Sequence, residues 1–159
     1  KPFPAVVVSS APEVLDWADS LEVPVIADPG GLDAAAGAGV KWAEAGGLSR
    51  VVIVHADLPM ASRLDHLARD AGAPLVFAVC SRDGDGTPAL SVPTGIGYTF
   101  SYGSGSFARH TLEAARLGLG FEQIHDRTLE HDVDALSDLA DLPPRLRSHP
   151  AVSAALPVK

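Results

Sequence analysis

The sequence predicts one α/β domain of three layers, with a mainly parallel sheet flanked by helices. Two observations lead there. Apolar runs such as Val51–Val54 are short, β-branched and unbroken, the pattern of strands buried on both faces. Between these runs lie stretches of helical spacing bounded by glycine and proline. The resulting order, strand and helix alternating through four strands, is that of parallel strands joined by right-handed crossovers.

Ala5–Ser9 reads as the first strand. Pro12, tolerated in a first helical turn, opens a helix to about Ser20. Val23–Ala27 is the second strand, followed by a Pro29-Gly30-Gly31 turn and a helix from Leu32 to Ala45 that Gly46-Gly47 closes. Arg50–Val54 is the third strand. Leu64, Leu67 and Ala68 share one face of a helix expected around Met60–Ala71, and Leu75–Val79 is the fourth strand.

The rhythm changes after Cys80. Residues 81–105 carry eight glycines or prolines, with short strand candidates at Ala89–Val92 and Tyr98–Tyr102. This reads as an irregular hairpin inserted after residue 80 to cover the sheet edge, and residues 85–102 are a candidate homodimer surface. A helix from about Ser104 to Leu117, a last strand and a short helix at Ala135–Leu142 complete a core of about residues 4–142. Residues 143–159, opening on Pro143-Pro144, read as a peripheral tail of the same domain.

Composition narrows the function. With 159 residues, 47% of them apolar, the chain has enough material for one buried core. Its net charge of −8 argues against a nucleic-acid surface or an anionic membrane surface, which need clustered Lys and Arg. The only lysines are Lys1, Lys41 and Lys159, so a phosphate ligand would depend on arginines, backbone amides and metal ions. No aliphatic run approaches bilayer length. Lys1-Pro2-Phe3-Pro4 does not open like a signal peptide, and Cys80 stands alone, so the expected compartment is the cytoplasm.

Four segments carry candidate chemistry. In Val54-His55-Ala56-Asp57-Leu58-Pro59, Asp57 follows a buried strand and projects toward the sheet's carboxyl edge, where open α/β sheets bind ligands. It serves either as a ligand to Mg²⁺ or as a helix N-cap. In Asp132-Val133-Asp134 the two carboxylates point the same way on an extended chain, as a metal pair or as a solvated acidic turn. Tyr102-Gly103-Ser104-Gly105-Ser106 leads into a helix on which Ser106 and Arg109 share a face, giving an anion cradle or a plain capped helix. Arg82-Asp83-Gly84-Asp85-Gly86-Thr87 offers an amide and a hydroxyl to a carboxylate or phosphate, or is simply a hairpin turn. Walker-type, H-E-x-x-H and C-x-x-C motifs are absent from the sequence. Ser106 and His110 are spaced as a hydrolase pair, with no third group placed to orient the imidazole.

Taken in order, these segments resemble the guanylyltransferases that act on 2-phospholactate or phosphoenolpyruvate in coenzyme F-420 biosynthesis. The family's G-L-N-x-A stretch is matched by Gly31-Leu32-Asp33-Ala34-Ala35, its D-L-P by Asp57-Leu58-Pro59 and its R-x-G-x-G-T by Arg82 to Thr87. Tyr102 to His110 matches F-G-x-x-S-x-x-R-H, and Asp132 to Leu139 matches D-[IV]-D-T-x-x-D-L, so the likeness covers about residues 4–142. It implies a GT-A/Rossmann-like nucleotidyltransferase fold. It also implies Mg²⁺ held by Asp57, Asp132 and Asp134 as the catalytic residues, and an acid's carboxylate end cradled by Thr87, Gly103 and Ser106. Arg82 and Arg109 of the matched motifs are further candidates for the acid, and Asp33 for the nucleotide side, where the family has asparagine. The expected substrates are GTP and a small phosphorylated acid, with release of pyrophosphate. The family's opening strand and A-K-x-R-L loop have no counterpart in the chain as it begins. Another nucleotidyltransferase of the same fold, or a non-catalytic subunit that binds a phospho-acid, are the alternatives.

Overall fold

The structure, a computed structural model, describes residues 3–69, 72, 74–150 and 152. In chain order the elements are β1 (Val7–Val8), α1 (Pro12–Ser20), β2 (Val25–Ile26), α2 (Leu32–Ala45), β3 (Arg50–Val54) and β4 (Leu75–Val79). They are followed by β5 (Ala89–Pro93), α3 (Ser106–Arg116), β6 (Gly120–Ile124), α4 (Asp138–Asp141) and α5 (Pro144–Arg147). The strands make a small parallel pair, β1-β2, and a four-stranded sheet in the order β3-β5-β4-β6. β4 and β6 are parallel, and β5 runs antiparallel to both its neighbours. The fold is therefore α/β with a mixed sheet.

β5 does not cover an edge. It lies inside the sheet, pairing Val52 with Ser91 on one side and Phe77 with Ser91 on the other. Ala89, Leu90 and Val92 are accordingly buried within one chain, which removes them from any homodimer contact. Tyr98–Tyr102 is not a strand either, because its amides bond to helix side chains. Thr99 N–H donates to the Glu113 carboxylate, Ser101 N–H to His110 Nε2, and Tyr102 N–H to Asp33 Oδ1.

The sheet has two apolar faces, as alternation along its strands requires. On one, Val76, Ala78, Leu90 and Val92 pack with Ala36 of α2 and Ala114 of α3. On the other, Phe77, Val79 and Ala89 pack with Leu58, Leu67 and Leu129. The expected helix around Met60–Ala71 is absent from this second layer among the described residues; positions 70 and 71 lie outside them. Instead isolated turns run from Leu67 N–H to Leu64 C=O and from Ala68 N–H to Asp65 C=O. The Leu67 carbonyl accepts the buried Ser91 hydroxyl at 2.6 Å, a bond that ties this segment to the sheet. Leu67 is fully buried, so the apolar spacing that suggested a helix marks burial alone. Of the tail after residue 142, α5 and its neighbours are described, while 151 and 153–159 lie outside the described residues. No helix among the described residues is long and apolar enough to cross a membrane.

Candidate functional site

β3 ends at Val54, and its continuation curls across the carboxyl end of the sheet. His55 N–H donates to the Pro88 carbonyl at 3.0 Å, placing this segment beside the end of the β4–β5 connection. Two residues on, the Asp57 carbonyl accepts Val133 N–H at 3.0 Å. The Asp57 backbone thus meets the middle of Asp132-Val133-Asp134, two stretches far apart in sequence. Asp57 and Asp134 are exposed and Asp132 is half-buried.

Among the described residues no cation pairs with Asp57, Asp132 or Asp134, and no three His, Cys, Asp or Glu side chains form a preassembled metal cage. Arg82, the cation on this side, reaches Asp141 instead at 3.5 Å, with His131 Nδ1 at 3.4 Å. Exposed carboxylates on adjoining backbone suit Mg²⁺, which takes one or two carboxylates and completes its shell with water and substrate phosphates. By chemistry these are hard oxygen donors of the kind that ion takes, although among the described residues they are not gathered into one cluster. Asp138 steadies the far end: its carboxylate accepts Asp134 and Ala135 N–H, and these bonds hold its pKa below the ordinary carboxylate value, the Ala135 bond most.

The turn after β4 is held by its own polar atoms. Ser81 Oγ accepts Gly86 N–H and donates to Asp83, which lowers the Asp83 pKa. A side chain at Gly86 would collide with that hydroxyl, since its Cβ would stand 2.9 Å from Ser81 Oγ. The turn is joined to α3 by Phe107 N–H donating to the Asp85 carbonyl at 3.1 Å. Thr87 then faces the first turn of α3, where Thr87 Oγ1 and Ser106 Oγ are 3.1 Å apart and His110 Nδ1 is 3.1 Å from Thr87 Oγ1. Thr87 and Ser106 are only 2% and 1% exposed, so this hydroxyl pair lies just beneath the surface, with Gly103 exposed beside the start of α3.

The amides at the start of α3 are largely engaged. Ser106 N–H bonds to the Gly103 carbonyl and Phe107 N–H to Asp85, which leaves less of the expected anion cradle than the glycine pattern implied. Arg109 is turned back onto the glycine loop. Its Nε and Nη2 donate to Ser101 C=O, Nη2 also to Tyr102 and Gly103 C=O, and Nη1 to Ser104 C=O. Its charge holds the loop's carbonyls together. Asp33 likewise holds the loop, through Tyr102 N–H at 2.6 Å, beside a cleft of about 370 Å³ lined by Gly30, Gly31, Leu32, Ala34 and Gly103. A second open groove of about 630 Å³ lies along Ser9, Ser10, Asp16 and Ala27.

Three polar groups to which the motif reading assigned no role border the site. His55 Nε2, the Tyr102 hydroxyl and His131 Nε2 are buried without hydrogen-bond partners among the described residues. Such groups need a partner to offset their desolvation. No spacing rule marks them. Their sequence signal is closeness to the motif residues: His55 stands two before Asp57, and Tyr102 and His131 directly precede Gly103 and Asp132.

A mixed α/β sheet with carboxylates and a glycine loop gathered at the ends of its strands is the plan of a nucleotidyltransferase-like domain. A solved structure bears this out for the fold: the chain superposes with a TM-score of 0.65 at 17% identity on a protein titled a nucleotide-diphospho-sugar transferase, from Desulfovibrio desulfuricans G20, covering 93% of this chain and 71% of the other. Residues 1–143 match the family described as "Guanylyl transferase CofC like", and the chain belongs to that family. Relatives named phosphoenolpyruvate guanylyltransferase occur in Sphaerobacter thermophilus (31% identical, over 86% of this chain) and Roseiflexus castenholzii (37%, over 56%). A 3-phospho-D-glycerate guanylyltransferase of Phenylobacterium zucineum is 32% identical over 72% of this chain. The matched regions span 68%, 41% and 54% of those relatives' own lengths, respectively.

Proposed function

We propose that this chain carries the acceptor and metal side of a guanylyl-transfer site, moving GMP from GTP to a small phosphorylated carboxylic acid in the cytoplasm. The acid is phosphoenolpyruvate, 2-phospholactate or 3-phospho-D-glycerate, and the product serves coenzyme F-420 biosynthesis. The observation that carries the reading is the meeting of the Asp57 backbone with Asp132-Val133-Asp134 while Thr87 meets Ser106, at the same end of one sheet. Hard anionic donors and neutral hydroxyl donors are what a molecule with a phosphate at one end and a carboxylate at the other requires.

In this reading Asp57, Asp132 and Asp134 hold Mg²⁺, which when bound supplies neutralisation of phosphate charge. Thr87, Ser106 and the Gly103 backbone receive the acid's carboxylate. A phosphate oxygen of the acid attacks the α-phosphorus of GTP as the bond to the β-phosphate oxygen breaks, and pyrophosphate leaves. The chain contributes position and charge balance, with no covalent protein intermediate. Arg82 stands at the mouth of this site, while Arg109 and Asp33 act by shaping the glycine loop.

Calorimetric titration with phosphoenolpyruvate and with GTP, each with Mg²⁺, followed by a pyrophosphate-release assay, tests the reading. Metal-dependent binding of both and pyrophosphate release are expected. Binding of the acid alone would reduce the role to a phospho-acid-binding subunit, and binding of neither would sink the substrate assignment.

A further inference from the structure

Among the described residues His110 is the largest polar side chain with no surface at all, and the chemistry proposed above makes no use of it. Its ring nitrogens are not equivalent. Ser101 N–H can only donate, so His110 Nε2, 3.2 Å away, must accept and carry no proton. In a neutral imidazole the proton then sits on Nδ1, which donates to Thr87 Oγ1 at 3.1 Å. Burial keeps the ring neutral, pushing its pKa down to about 4.

The consequence runs one step further. Thr87 and Ser106 have one hydroxyl proton each but share a single O···O contact of 3.1 Å. With Thr87 already accepting from His110, one proton satisfies that contact and the other has no acceptor among the described residues. The opposite tautomer would reverse the chain. Thr87 would donate to His110 and Ser106 to Thr87, leaving the pair with lone pairs only. Those would repel an anion.

We propose that His110 is a positioning residue that fixes the direction of the Thr87–Ser106 hydroxyl pair, so that the pair presents a proton to the carboxylate of the bound acid. The inference rests on the guanylyl-transfer reading for the identity of the ligand. The tautomer itself does not. Its backbone partner, Ser101, is held in place by Arg109, so the direction is set from the glycine loop through the imidazole to the hydroxyl pair.

Long-range ¹⁵N spectra of the imidazoles in the wild-type chain at pH 7 test the geometry directly. A protonated Nδ1 and a bare Nε2 on His110 are expected, and the reverse assignment overturns the proposal. Calorimetry then tests the consequence. His110→Phe keeps a ring of similar size but neither donates nor accepts, and should weaken phosphoenolpyruvate binding about ten- to a hundred-fold, the scale of one hydrogen bond to a charged group. GTP affinity should stay within about two-fold, well below the effect of one such bond. His110→Asn, which returns an N–H near Nδ1, should recover much of the loss. Should His110→Phe fail to fold, His110→Gln, whose amide reaches toward the Nε2 position and leaves Thr87 without its donor, is expected to show the same selective loss. Unchanged acid binding in these variants, or equal loss for acid and GTP, overturns the positioning role. Wild-type chain that binds no phosphoenolpyruvate is a different result, overturning the substrate reading and with it the ligand assigned to the hydroxyl pair.

Discussion

Asp57 divides its duties between backbone and side chain. Its carbonyl holds Val133, while its carboxylate projects into solvent with no cation beside it among the described residues. Asp57→Asn therefore preserves the shape and the backbone bond and removes only the charge. Transfer should fall by at least about a hundred-fold in kcat, as expected when charge stabilisation at the reacting phosphate is lost. Unfolding free energy should move by less than about 0.5 kcal/mol, as for an ordinary surface change. Pyrophosphate release and urea denaturation measure the two, and activity equal to wild type would end the metal role. His110 is the opposite case, a buried group whose titration touches stability. Its folded pKa of about 4 lies below the ordinary 6.5, so between those values the unfolded chain binds a proton that the folded chain refuses. Stability is then fully present above pH 6.5 and lost as pH falls through 4, by on the order of 2–3 kcal/mol. Urea unfolding from pH 7 to pH 4 should show this slope, and His110→Asn should flatten it. Glu113, brought down to about 2 chiefly by Arg116, adds a separate loss only at more acid pH, as pH falls from 4.5 through 2.

Among the elements, β5 decides the shape of the sheet. Inserted antiparallel between β3 and β4, it buries Leu90 fully on the α2/α3 face. Leu90→Ala should cost about 2–5 kcal/mol, whereas Leu112→Ala, 69% exposed on α3, should cost less than about 0.5. Chemical denaturation of the two variants separates them, and near-equal values would contradict the central placement of β5. The position of β5 was hidden from the sequence because strand order depends on distant pairing, while Ala89–Val92 announced only that a strand existed. α1, α2, β3 and β4 were legible to the residue, since caps, prolines and β-branched runs are local signals. Two further misreadings share one cause. Leu64, Leu67 and Ala68 have helical spacing, and Tyr98, Phe100 and Tyr102 have strand spacing, yet both patterns arise from packing against a neighbour. The aromatic run lies against His110, with the Tyr102 ring centroid 4.9 Å from the imidazole, and its backbone bonds to side chains of α2 and α3. Periodicity reports which side is buried. Where the amide partners come from another element, it does not report the backbone.

At the scale of the molecule, the candidate site is a junction of segments that the sequence displays one at a time. Residue types were readable: carboxylates beyond β3, a Gly-Thr turn, a glycine loop before a helix. Direction was not. Arg109 shares a helix face with Ser106 by spacing, but its guanidinium folds back to the loop carbonyls, because glycine-rich chain leaves those carbonyls clustered within its reach. His110 was visible as Ser106 plus four, yet its role depends on an amide and a hydroxyl from two other segments. Because residues 55–57, 82–87, 103–110 and 131–134 are bound to one another, a ligand bridging them should stabilise the whole domain. Phosphoenolpyruvate with Mg²⁺ at a hundred times its dissociation constant adds about 2.7 kcal/mol, which for a domain of this size raises Tm by roughly 5–10 °C. Thermal melts with acid and metal together, with each alone and with EDTA provide the check. The full shift should need both, vanish with EDTA and be absent in Asp57→Asn. A shift given by the acid without metal would place its binding on the Thr87–Ser106 pair alone and remove the carboxylates from acceptor recognition.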